Sequence, residues 1–548
     1  MSRAIPVRRT AIRPGLERGR SAPMRVARLT VRLIRRGIGW LVPVVAFYVA
    51  VEVFSYERTY PDAASRQKLA ALSDDPAVRM LQGIPHAVDT PGGFVAWDAG
   101  WMLAAIAGIW ALLAAGRLLR GEEESGRAEL VLAGPIRPAR VVLVQEAVLA
   151  GAALAAGASA AVTLALMGAG TAGSVVFGLG LAGFAATFAG LAAVLAQLFQ
   201  VRRRVTAVSA ALFGLSFLLR MAANSADSRG WLRWFTPFGW LDELHAYRDP
   251  GWAALTVLLA APAVLGCAAV ALRTRRDTAG ALITEQDRAR SRLRGLGGPA
   301  AFAWRGTRGM LAGWMLGIAG YAFVSGALIV TAVDFMADDP NYRRALEAIG
   351  WDAADVAEGF AGVMGILIGL LIALYACWRV GAARAEEAAG RLDHVLARPV
   401  ARRRWLGGHV ALTLASALLL ALAAATAMWA GAAATGAGVG FADMLAANLN
   451  PLPVAVLATG LAVLLFGTRP RLTVPGSAAA VAIAYLVEMI GPALDWPDPI
   501  VAVSPFHHLA SVPAEPFQPV SSAVMIAIGV LLVAAGHVLF ERRDLTGD

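Results

Sequence analysis

The chain has 548 residues, of which 58% are hydrophobic and only 16% are charged, and its mean hydropathy is +0.61. Soluble domains of this size need far more charged surface, so the composition excludes a water-soluble protein and indicates a chain embedded in a lipid bilayer. The net charge of +11 does not indicate a nucleic-acid partner, because the arginines lie at the ends of apolar stretches and form no patch with interleaved aromatics.

Nearly all of the positive charge is arginine, and Lys68 is the only lysine. A phosphate-binding Walker loop needs a Gly-Lys-Ser/Thr sequence whose lysine reaches the phosphates, and Lys68 has no such glycine loop before it. We therefore expect no ATP hydrolysis, catalytic site or cofactor in this chain. Cys267 and Cys377 lie inside predicted membrane helices, and their spacing suits neither a metal site nor a disulfide.

Twelve apolar stretches are long enough to cross a bilayer, which needs about twenty residues per helix. In the first half they cover residues 38–56, 94–116, 141–168, 172–199, 205–222 and 252–272. In the second half they cover residues 310–333, 359–379, 405–433, 441–467, 472–491 and 520–540. The sequence thus predicts an all-α polytopic membrane protein with about twelve membrane-spanning helices.

The basic residues predict the orientation, because roughly four in every five fall on one side if the N-terminus is cytoplasmic. We expect a bacterial cytoplasmic membrane with both termini inside. Residues 1–37 are predicted to be a basic cytoplasmic segment in which 25–37 forms an interfacial amphipathic helix, or else a disordered basic tail near anionic lipid. Residues 38–272 and 310–548 are predicted to be six-helix halves, joined by a cytoplasmic linker at 273–309.

An internal repeat supports the two halves. Residues 122–136 read EEESGRAELVLAGPI and residues 386–400 read EEAAGRLDHVLARPV, and the identical positions keep a constant offset in sequence number. A weaker echo links residues 236–238, Thr-Pro-Phe, to residues 504–506, Ser-Pro-Phe, at nearly the same offset. We therefore expect parallel duplicates related by a pseudo-twofold axis along the membrane normal, with a pathway between them.

Each copy of this EExxGR element lies on the predicted cytoplasmic face, between the second and third helices of its half. A short helix there, acidic at its start and ended by a proline, would suit the helix dipole. We interpret the two copies as docking sites for a twofold partner; the alternative is a folding element that covers helix ends. The candidate contact residues are Glu122, Glu123, Gly126, Arg127, Glu129, Leu132, Pro135, Glu386, Glu387, Gly390, Arg391, Asp393, Leu396 and Pro399.

The pattern Glu-Glu-x-x-Gly-Arg-x-Glu-x-x-Leu-Ala-x-Pro after a second membrane helix resembles the ABC-2 type permeases. Its fused duplication resembles the tetronasin or polyketide-antibiotic exporter permeases of high-GC bacteria. The resemblance implies one copy of this chain with two copies of a separate ATP-binding-cassette ATPase, which carries ATP and Mg²⁺. It also implies export of hydrophobic or amphipathic compounds such as antibiotics, and partly re-entrant helices at 223–250 and 490–517. Membrane lipid is the remaining expected partner.

By the same resemblance, the second and fifth helices of each half line the substrate route. The candidate lining residues are Trp101, Phe213, Phe217, Met221, Met364 and Tyr485, although aromatics in membrane helices more often pack against neighbours or lipid. Arg220 and Glu488 occupy nearly equivalent positions in the two fifth helices, and ionisable residues inside spans are costly. We predict that they approach each other across the pseudo-axis and help to close the external side.

A proton-coupled secondary efflux transporter with twelve helices is the main alternative. It requires acids near the bilayer midplane, whereas most of the apolar stretches contain none, and it leaves the repeated EExxGR element unexplained. A membrane-embedded enzyme or a scaffold is a further alternative. An enzyme would need a cluster of catalytic or metal-binding side chains. The only adjacent histidine pair in the sequence is His507-His508, and no third metal ligand is evident for it.

Overall fold

The computed structural model describes residues 16–63, 65–66, 69, 79, 82–224, 227–277, 280–283, 298–338, 353–491 and 496–545. Within these ranges the chain is helical and contains no β-strand. Twelve helices are long and apolar enough to span a membrane, which confirms the predicted number and the polytopic fold. The predicted basic tail before residue 16 and the linker residues 284–297 lie outside the described residues.

The chain divides into two compact units, Met1–Ala289 and Arg290–Asp548. The α-helices of the first half are α1 (Leu16–Thr59), α2 (Pro91–Asp98), α3 (Gly100–Gly116), α4 (Arg127–Leu132), α5 (Pro138–Leu166), α6 (Thr171–Leu198), α7 (Arg202–Asn224), α8 (Pro237–Asp242) and α9 (Trp252–Arg273). A π-helical segment, Arg117–Gly121, and one further turn, Glu122–Glu124, extend α3. A 3₁₀ helix, Asp227–Phe235, precedes α8.

Within the described ranges, the second half has the same number of candidate spans, six, although some of them are divided differently. Its α-helices are α10 (Pro299–Ala327), α11 (Ile329–Asp338), α12 (Ala353–Ala388), α13 (Arg391–Leu396), α14 (Arg402–Thr435), α15 (Phe441–Leu449), α16 (Leu452–Thr468), α17 (Thr473–Ile490), α18 (Asp498–Val501) and α19 (Pro519–Arg542). Two 3₁₀ helices, Pro470–Leu472 and Pro505–His508, lie before α17 and after α18. Helix α12 packs against α10, α14, α16 and α17 and forms the centre of this half.

Helix α6 forms the centre of the first half and packs against α3, α5, α7 and α9. Most of its residues are buried, because its many glycines and alanines let neighbouring backbones approach closely. A Cβ added to Gly157 of α5 would lie 2.1 Å from the carbonyl oxygen of Gly178 in α6. The second half has the same kind of contact between α16 and α19, where a Cβ on Gly460 would lie 2.4 Å from the Gly529 oxygen.

Residues 25–37 are helical, as predicted, and form one continuous helix, α1, with the first span. Their location at the membrane interface stays a prediction. Gly37 and Gly39 do not end the helix, since a glycine costs only about 1 kcal/mol there and packing outweighs it. Part of the apolar side faces protein, whereas Leu29 is 42% exposed. Val26 and Ile34 are buried within the first half, whereas the arginines of this segment are exposed.

Two further boundaries differ from the prediction. The second half begins at Pro299, well before residue 310, because the arginines near its start do not prevent helix formation. The linker was predicted to start at residue 273, but its first residues fold back onto the first half. The backbone N–H groups of Leu282 and Ile283 donate to the carbonyls of Gln197 and Leu198 at 3.3 and 3.0 Å.

The contact between α5 and α6 yields a stability prediction. We expect Gly157→Leu to cost about 1–3 kcal/mol of unfolding free energy, because the added side chain collides with the α6 backbone. Gly151→Leu on the same helix is the matched control, since a Cβ there meets nothing within 4 Å. Thermal unfolding in detergent measures both variants. Equal unfolding temperatures would contradict the close packing of the two helices.

Candidate functional site

The EExxGR element has the same backbone path in both halves. The second membrane helix, α3 or α12, ends with the two glutamates, a glycine reverses the chain, and a six-residue helix follows. Gly126 has a φ of 73° and Gly390 a φ of 67°, in the left-handed region that glycine adopts without steric cost. The predicted short helix is therefore present twice, as α4 and α13.

The prediction that this short helix is acidic at its start is wrong for the glutamate pairs. Residues 122–123 belong to the extension of α3, and residues 386–387 belong to the last turn of α12. Carboxylates at the C-terminal end of a helix oppose the helix dipole. Only Glu129 and Asp393 lie in the first turns of α4 and α13. The glutamate pairs therefore need positively charged partners.

Glu123 has three arginine partners. Its carboxylate accepts two 2.9 Å hydrogen bonds from Arg276 Nη2 and one of 2.5 Å from Arg120 Nη1. Arg273 Nη2 lies 3.6 Å away. Arg273 ends α9 and Arg276 follows it, so the cluster joins the ends of the second and sixth membrane helices. The side chains of Glu123 and Arg276 are only 8% and 2% exposed, so the first half itself encloses this ion pair.

The second half contains the equivalent ion pair. Arg543, which directly follows α19, places Nη2 2.9 Å from both carboxylate oxygens of Glu387. The Glu387 side chain is 2% exposed. Arg276 and Arg543 occupy the same place in matching Arg-Arg-Asp sequences at 275–277 and 542–544. Our sequence reasoning missed both arginines, and this short repeat is the signal that could have found them.

The first glutamates of the element have different partners in the two halves. Glu122 accepts hydrogen bonds from Arg127 at 2.8 and 2.9 Å, and these bonds raise the pKa of the Arg127 guanidinium. Glu386 instead accepts a 3.3 Å hydrogen bond from Trp405 Nε1. Arg391, the counterpart of Arg127, donates to a backbone carbonyl. The feature that both halves share is therefore the ion pair of the second glutamate with the arginine that follows the sixth membrane helix.

The candidate contact residues of the EExxGR elements fall into two sets that differ in their exposure. The outward set is exposed and comprises Gly126, Arg127, Glu129, Pro135, Arg391, Asp393 and Pro399. The inward set is buried or half-buried and comprises Glu122, Glu123, Leu132, Glu386, Glu387, Gly390 and Leu396. Leu396 packs against the core of the second half, and Leu132 lines a cleft beside α1. Leu130, which the sequence did not single out, is 79% exposed on α4.

The predicted re-entrant segments contain short helical turns that are held by the same hydrogen bond in both halves. Thr236 Oγ1 donates to the Ser216 carbonyl at 2.7 Å, and Ser504 Oγ donates to the Ala484 carbonyl at 2.8 Å. The two donors are separated along the chain by the same number of positions as the two acceptors, so the bonds are equivalent. Each segment is thereby fixed to the fifth membrane helix of its half, α7 or α17.

Two predicted route residues support these same segments. Phe217 and Tyr485 directly follow the two acceptor residues, Ser216 and Ala484, and so occupy equivalent positions. They contact Phe238 and Phe506 edge to face at centroid distances of 5.2 and 5.3 Å. These two phenylalanines are each only 1% exposed. The route residues therefore have a packing role in this structure.

The other candidate route residues also have contacts within their own halves. Trp101 lies 5.5 Å from Phe217, and Phe213 lies 4.7 Å from Phe188, between ring centroids. Met221 is buried. In the second half, Met364 Sδ accepts a 3.5 Å hydrogen bond from the Tyr321 hydroxyl.

A cleft in the first half nevertheless reaches Trp101 from the end opposite α4. Its aromatic and charged lining includes Trp97, Trp101, Phe177, Arg220, Phe238, Asp242 and Tyr247. The Trp101 indole N–H is buried and has no hydrogen-bond partner among the described residues. An unpaired buried donor costs free energy, so this group is available to a ligand that carries an acceptor.

Arg220 and Glu488 each have a partner within their own half. Arg220 Nε donates to Asp242 Oδ2 at 2.8 Å, and His507 Nδ1 lies 3.2 Å from Glu488 Oε2. Arg220 and Glu488 are separated along the chain by as many residues as Ser216 and Ala484, so they occupy equivalent positions in the two halves. Each joins the fifth helix to the segment after it. Their contact between the halves stays a prediction.

The buried ion pair of the second half yields a second stability prediction. We expect Glu387→Gln to cost about 3 kcal/mol, because Arg543 would remain partly buried without a counter-charge. The exchange Glu387→Arg with Arg543→Glu should recover part of this loss. Asp393→Asn is the control, since Asp393 is exposed. Thermal unfolding distinguishes them, and a Glu387→Gln variant as stable as the parent would contradict the structural role of the pair.

Comparison with known proteins identifies the family. The family model described as "Multidrug efflux system permease Rv1217c, C-terminal domain" matches residues 29–273 and 296–541, one stretch in each half. The "Multidrug efflux system permease protein Rv1217c" of Mycobacterium tuberculosis (strain ATCC 25618 / H37Rv) is 32% identical over 509 residues, which cover 92% of this chain and 91% of that protein. This chain therefore belongs to the family of multidrug efflux system permeases represented by Rv1217c.

Proposed function

We propose that this chain is the membrane-spanning subunit of an ATP-driven, ABC-2 type exporter, close in kind to the tetronasin or polyketide-antibiotic exporters. It moves hydrophobic or amphipathic compounds out of the cell. One copy acts with two copies of a separate ATP-binding-cassette ATPase, which holds ATP and Mg²⁺ and performs the hydrolysis. One observation carries the proposal: each half presents a short exposed helix whose base is joined by a buried ion pair to the sixth membrane helix.

The comparisons support the coarser part of this proposal. The relative from Mycobacterium tuberculosis is named a permease of a multidrug efflux system, and a permease within a system acts with further components. The sequence of this chain has a single lysine, Lys68, with no Walker glycine loop before it. A separate ATPase would supply the missing nucleotide site.

The ion pairs provide a means to transmit force. If an ATPase moves α4, it moves the end of α3, to which the chain joins it directly. The end of α9 moves as well, because separating Glu123 from its arginines would leave a buried charge uncompensated. Breaking such a pair costs about 3–5 kcal/mol. Glu387 and Arg543 would link α12, and with it the short helix α13 that follows, to the end of α19 in the same way.

Nucleotide binding would drive the change of state. ATP can shift the equilibrium only if it binds the closed ATPase dimer better than the open one. Closure would bring the ATPase surfaces under α4 and α13 together and tilt the two halves, so that an inward-open cavity becomes outward-open. In this mechanism Arg220 and Glu488 help to close the external side.

The outward set suits a protein partner. Helix α4 exposes Arg127, Glu129 and Leu130, and helix α13 exposes Arg391 and Asp393. Each helix thus offers both signs of charge within two turns, and charge complementarity at an interface gives specificity and orientation. We assign the docking contact to this set, and the inward set to holding the helices in place.

The Trp101 cleft suits an amphipathic substrate. Its aromatic walls would bury apolar surface, and the unpaired Trp101 indole N–H would bind an acceptor on the compound. Among the candidate route residues, Trp101 is therefore the one whose side chain we place in contact with substrate. The remaining five would shape the route through packing.

The proposed orientation follows the arginines. The ends of the helices that carry α4 and α13 are the arginine-rich ends, and the positive-inside rule assigns them to the cytoplasm. Both chain termini would then be cytoplasmic in a bacterial inner membrane. This places the EExxGR elements where an ATPase can reach them.

Charge reversal on the two exposed helices tests the docking role. We expect Glu129→Lys with Asp393→Lys to reduce the amount of co-purifying ATPase and the drug-stimulated ATPase activity about tenfold, because both docking faces become repulsive or mismatched. The matched control is Glu57→Lys with Asp498→Lys, since both residues are exposed away from α4 and α13. The chain should remain folded in both variants.

The outcomes separate the competing functions. Loss of ATPase binding in the first variant but not in the control supports the docking role. Unchanged ATPase binding and activity in both variants would contradict it. If a proton gradient alone drives drug transport by the purified chain, the secondary transporter replaces this proposal.

A further inference from the structure

A groove with five arginines runs between the middle of α1 and the end of α3 in the first half. Its charged lining consists of Arg32, Arg35, Arg36, Arg117 and Arg202. Its apolar lining consists of Leu33, Ile34, Gly37, Trp110, Leu113 and Ala114. Among the residues that the structure describes, no acid lines the groove. This combination of positive charge and apolar surface has no role in the proposed coupling mechanism.

The positive charge of the groove is poorly compensated by the protein. Within the described part of the chain, no carboxylate pairs with the guanidinium groups of Arg32, Arg35, Arg36 or Arg117. Glu124 accepts a 2.6 Å hydrogen bond from the backbone N–H of Arg202, so this carboxylate is bound to the main chain.

The spacing of the arginines on α1 concentrates this charge. Residues 35 and 36 lie three and four positions after residue 32, so each of them neighbours Arg32 on the helix surface. Like charges at this spacing destabilise a helix unless a counter-ion lies between them. The side chains of all three are exposed, and so is that of Arg117. They are free to close around an anionic group.

Part of the apolar lining of the groove, Trp110, Leu113 and Ala114, comes from the turns of α3 that precede Arg117. Trp110 packs so closely on α1 that a Cβ added to Gly37 would lie 2.5 Å from its Nε1 atom. Leu113 is 42% exposed, so this surface opens to the outside of the helix bundle. Tryptophan is typical of the membrane interface, where its ring contacts acyl chains and its N–H contacts polar headgroups.

We propose that this groove binds a phospholipid with an anionic headgroup from the cytoplasmic leaflet. The arginines hold the phosphate, and the acyl chains lie along Trp110, Leu113 and Ala114. Basic pockets between membrane helices on the cytoplasmic side favour such headgroups. The choice of leaflet rests on the proposed orientation of the chain, whereas the binding itself does not rest on transport or on an ATPase.

Among the described residues, the second half has no matching arginine series on its first helix. The first helix of the second half, α10, carries only Arg305 and Arg308 in place of the arginine series of α1. The bound lipid would therefore hold α1 against α3 in one half, next to the EExxGR element that α3 carries. Since α1 also lines the cleft beside Val131 and Leu132, lipid occupancy bears on the position of α4.

Native mass spectrometry of the full-length chain in detergent tests this proposal. The probes are phosphatidylglycerol, phosphatidylcholine and inorganic phosphate, titrated in separate experiments. The site variant is Arg35→Gln with Arg36→Gln and Arg117→Gln. The charge-matched control is Arg398→Gln with Arg404→Gln and Arg542→Gln, three exposed arginines of the second half. Circular dichroism and thermal unfolding verify that both variants are folded.

We expect phosphatidylglycerol to bind the parent and the control equally, and the site variant at least about tenfold more weakly, because three of the five positive charges are removed. Phosphatidylcholine should bind all three proteins weakly and alike. Equal phosphatidylglycerol affinity in the site variant and the control would overturn the proposal.

Two other outcomes would reassign the groove. If inorganic phosphate displaces the lipid at equal concentration, the site takes a free anion and the lipid proposal is wrong. If the site variant keeps its lipid but loses the co-purifying ATPase, the groove serves an acidic protein surface instead. Failure of ATP-driven transport in all variants would concern the proposed function and leave the lipid result intact.

Discussion

Two carboxylates, those of Glu123 and Glu387, lie at the C-terminal ends of membrane helices, where burial and the helix dipole both oppose negative charge. Each is stabilised by an arginine that follows the sixth helix of its half, Arg276 or Arg543. Separating either carboxylate from its arginine would cost free energy, because the carboxylate would remain buried without a counter-charge. The second and sixth helices and the exposed short helix between them are therefore held together at one end of each half. The proposed coupling to an ATPase depends on this connection.

The two halves match more strictly in scaffold than in chemistry. Matched contacts fix the segment after the fifth helix in both halves: the hydroxyls of Thr236 and Ser504 bond equivalent carbonyls. The charged groups beside them differ, since Arg220 pairs with Asp242 whereas Glu488 lies beside His507. The arginine groove is likewise present in the first half and lacks a matching arginine series on α10. In the proposed exporter, the two halves would move in a similar way because their scaffolds match. The charged groups that differ would make the two sides of the substrate route chemically different, and the arginine groove would give the first half a lipid contact.

Hydrophobic length and the repeat were sufficient to predict twelve spans, two halves and a short helix in each half, because these features depend on local pattern. The direction of side chains was not predictable, because it depends on packing between distant segments. Glu123 and Glu387 resembled docking residues in sequence, but arginines far along the chain enclose them. Phe217 and Tyr485 resembled route residues, but each packs against a buried phenylalanine. The buried side of α1 was similarly attributed to lipid because the sequence does not show that α5 lies against it.

The central claim is that this permease is driven by nucleotide hydrolysis on a separate subunit. Reconstitution of the chain with its co-purifying ATPase into proteoliposomes tests that claim most directly, with accumulation of a fluorescent hydrophobic drug as the readout. We expect accumulation that requires both the ATPase and ATP with Mg²⁺, continues when the pH gradient is collapsed, and stops when hydrolysis is blocked. Accumulation by the chain alone on an imposed pH gradient, with no response to ATP, would contradict the claim.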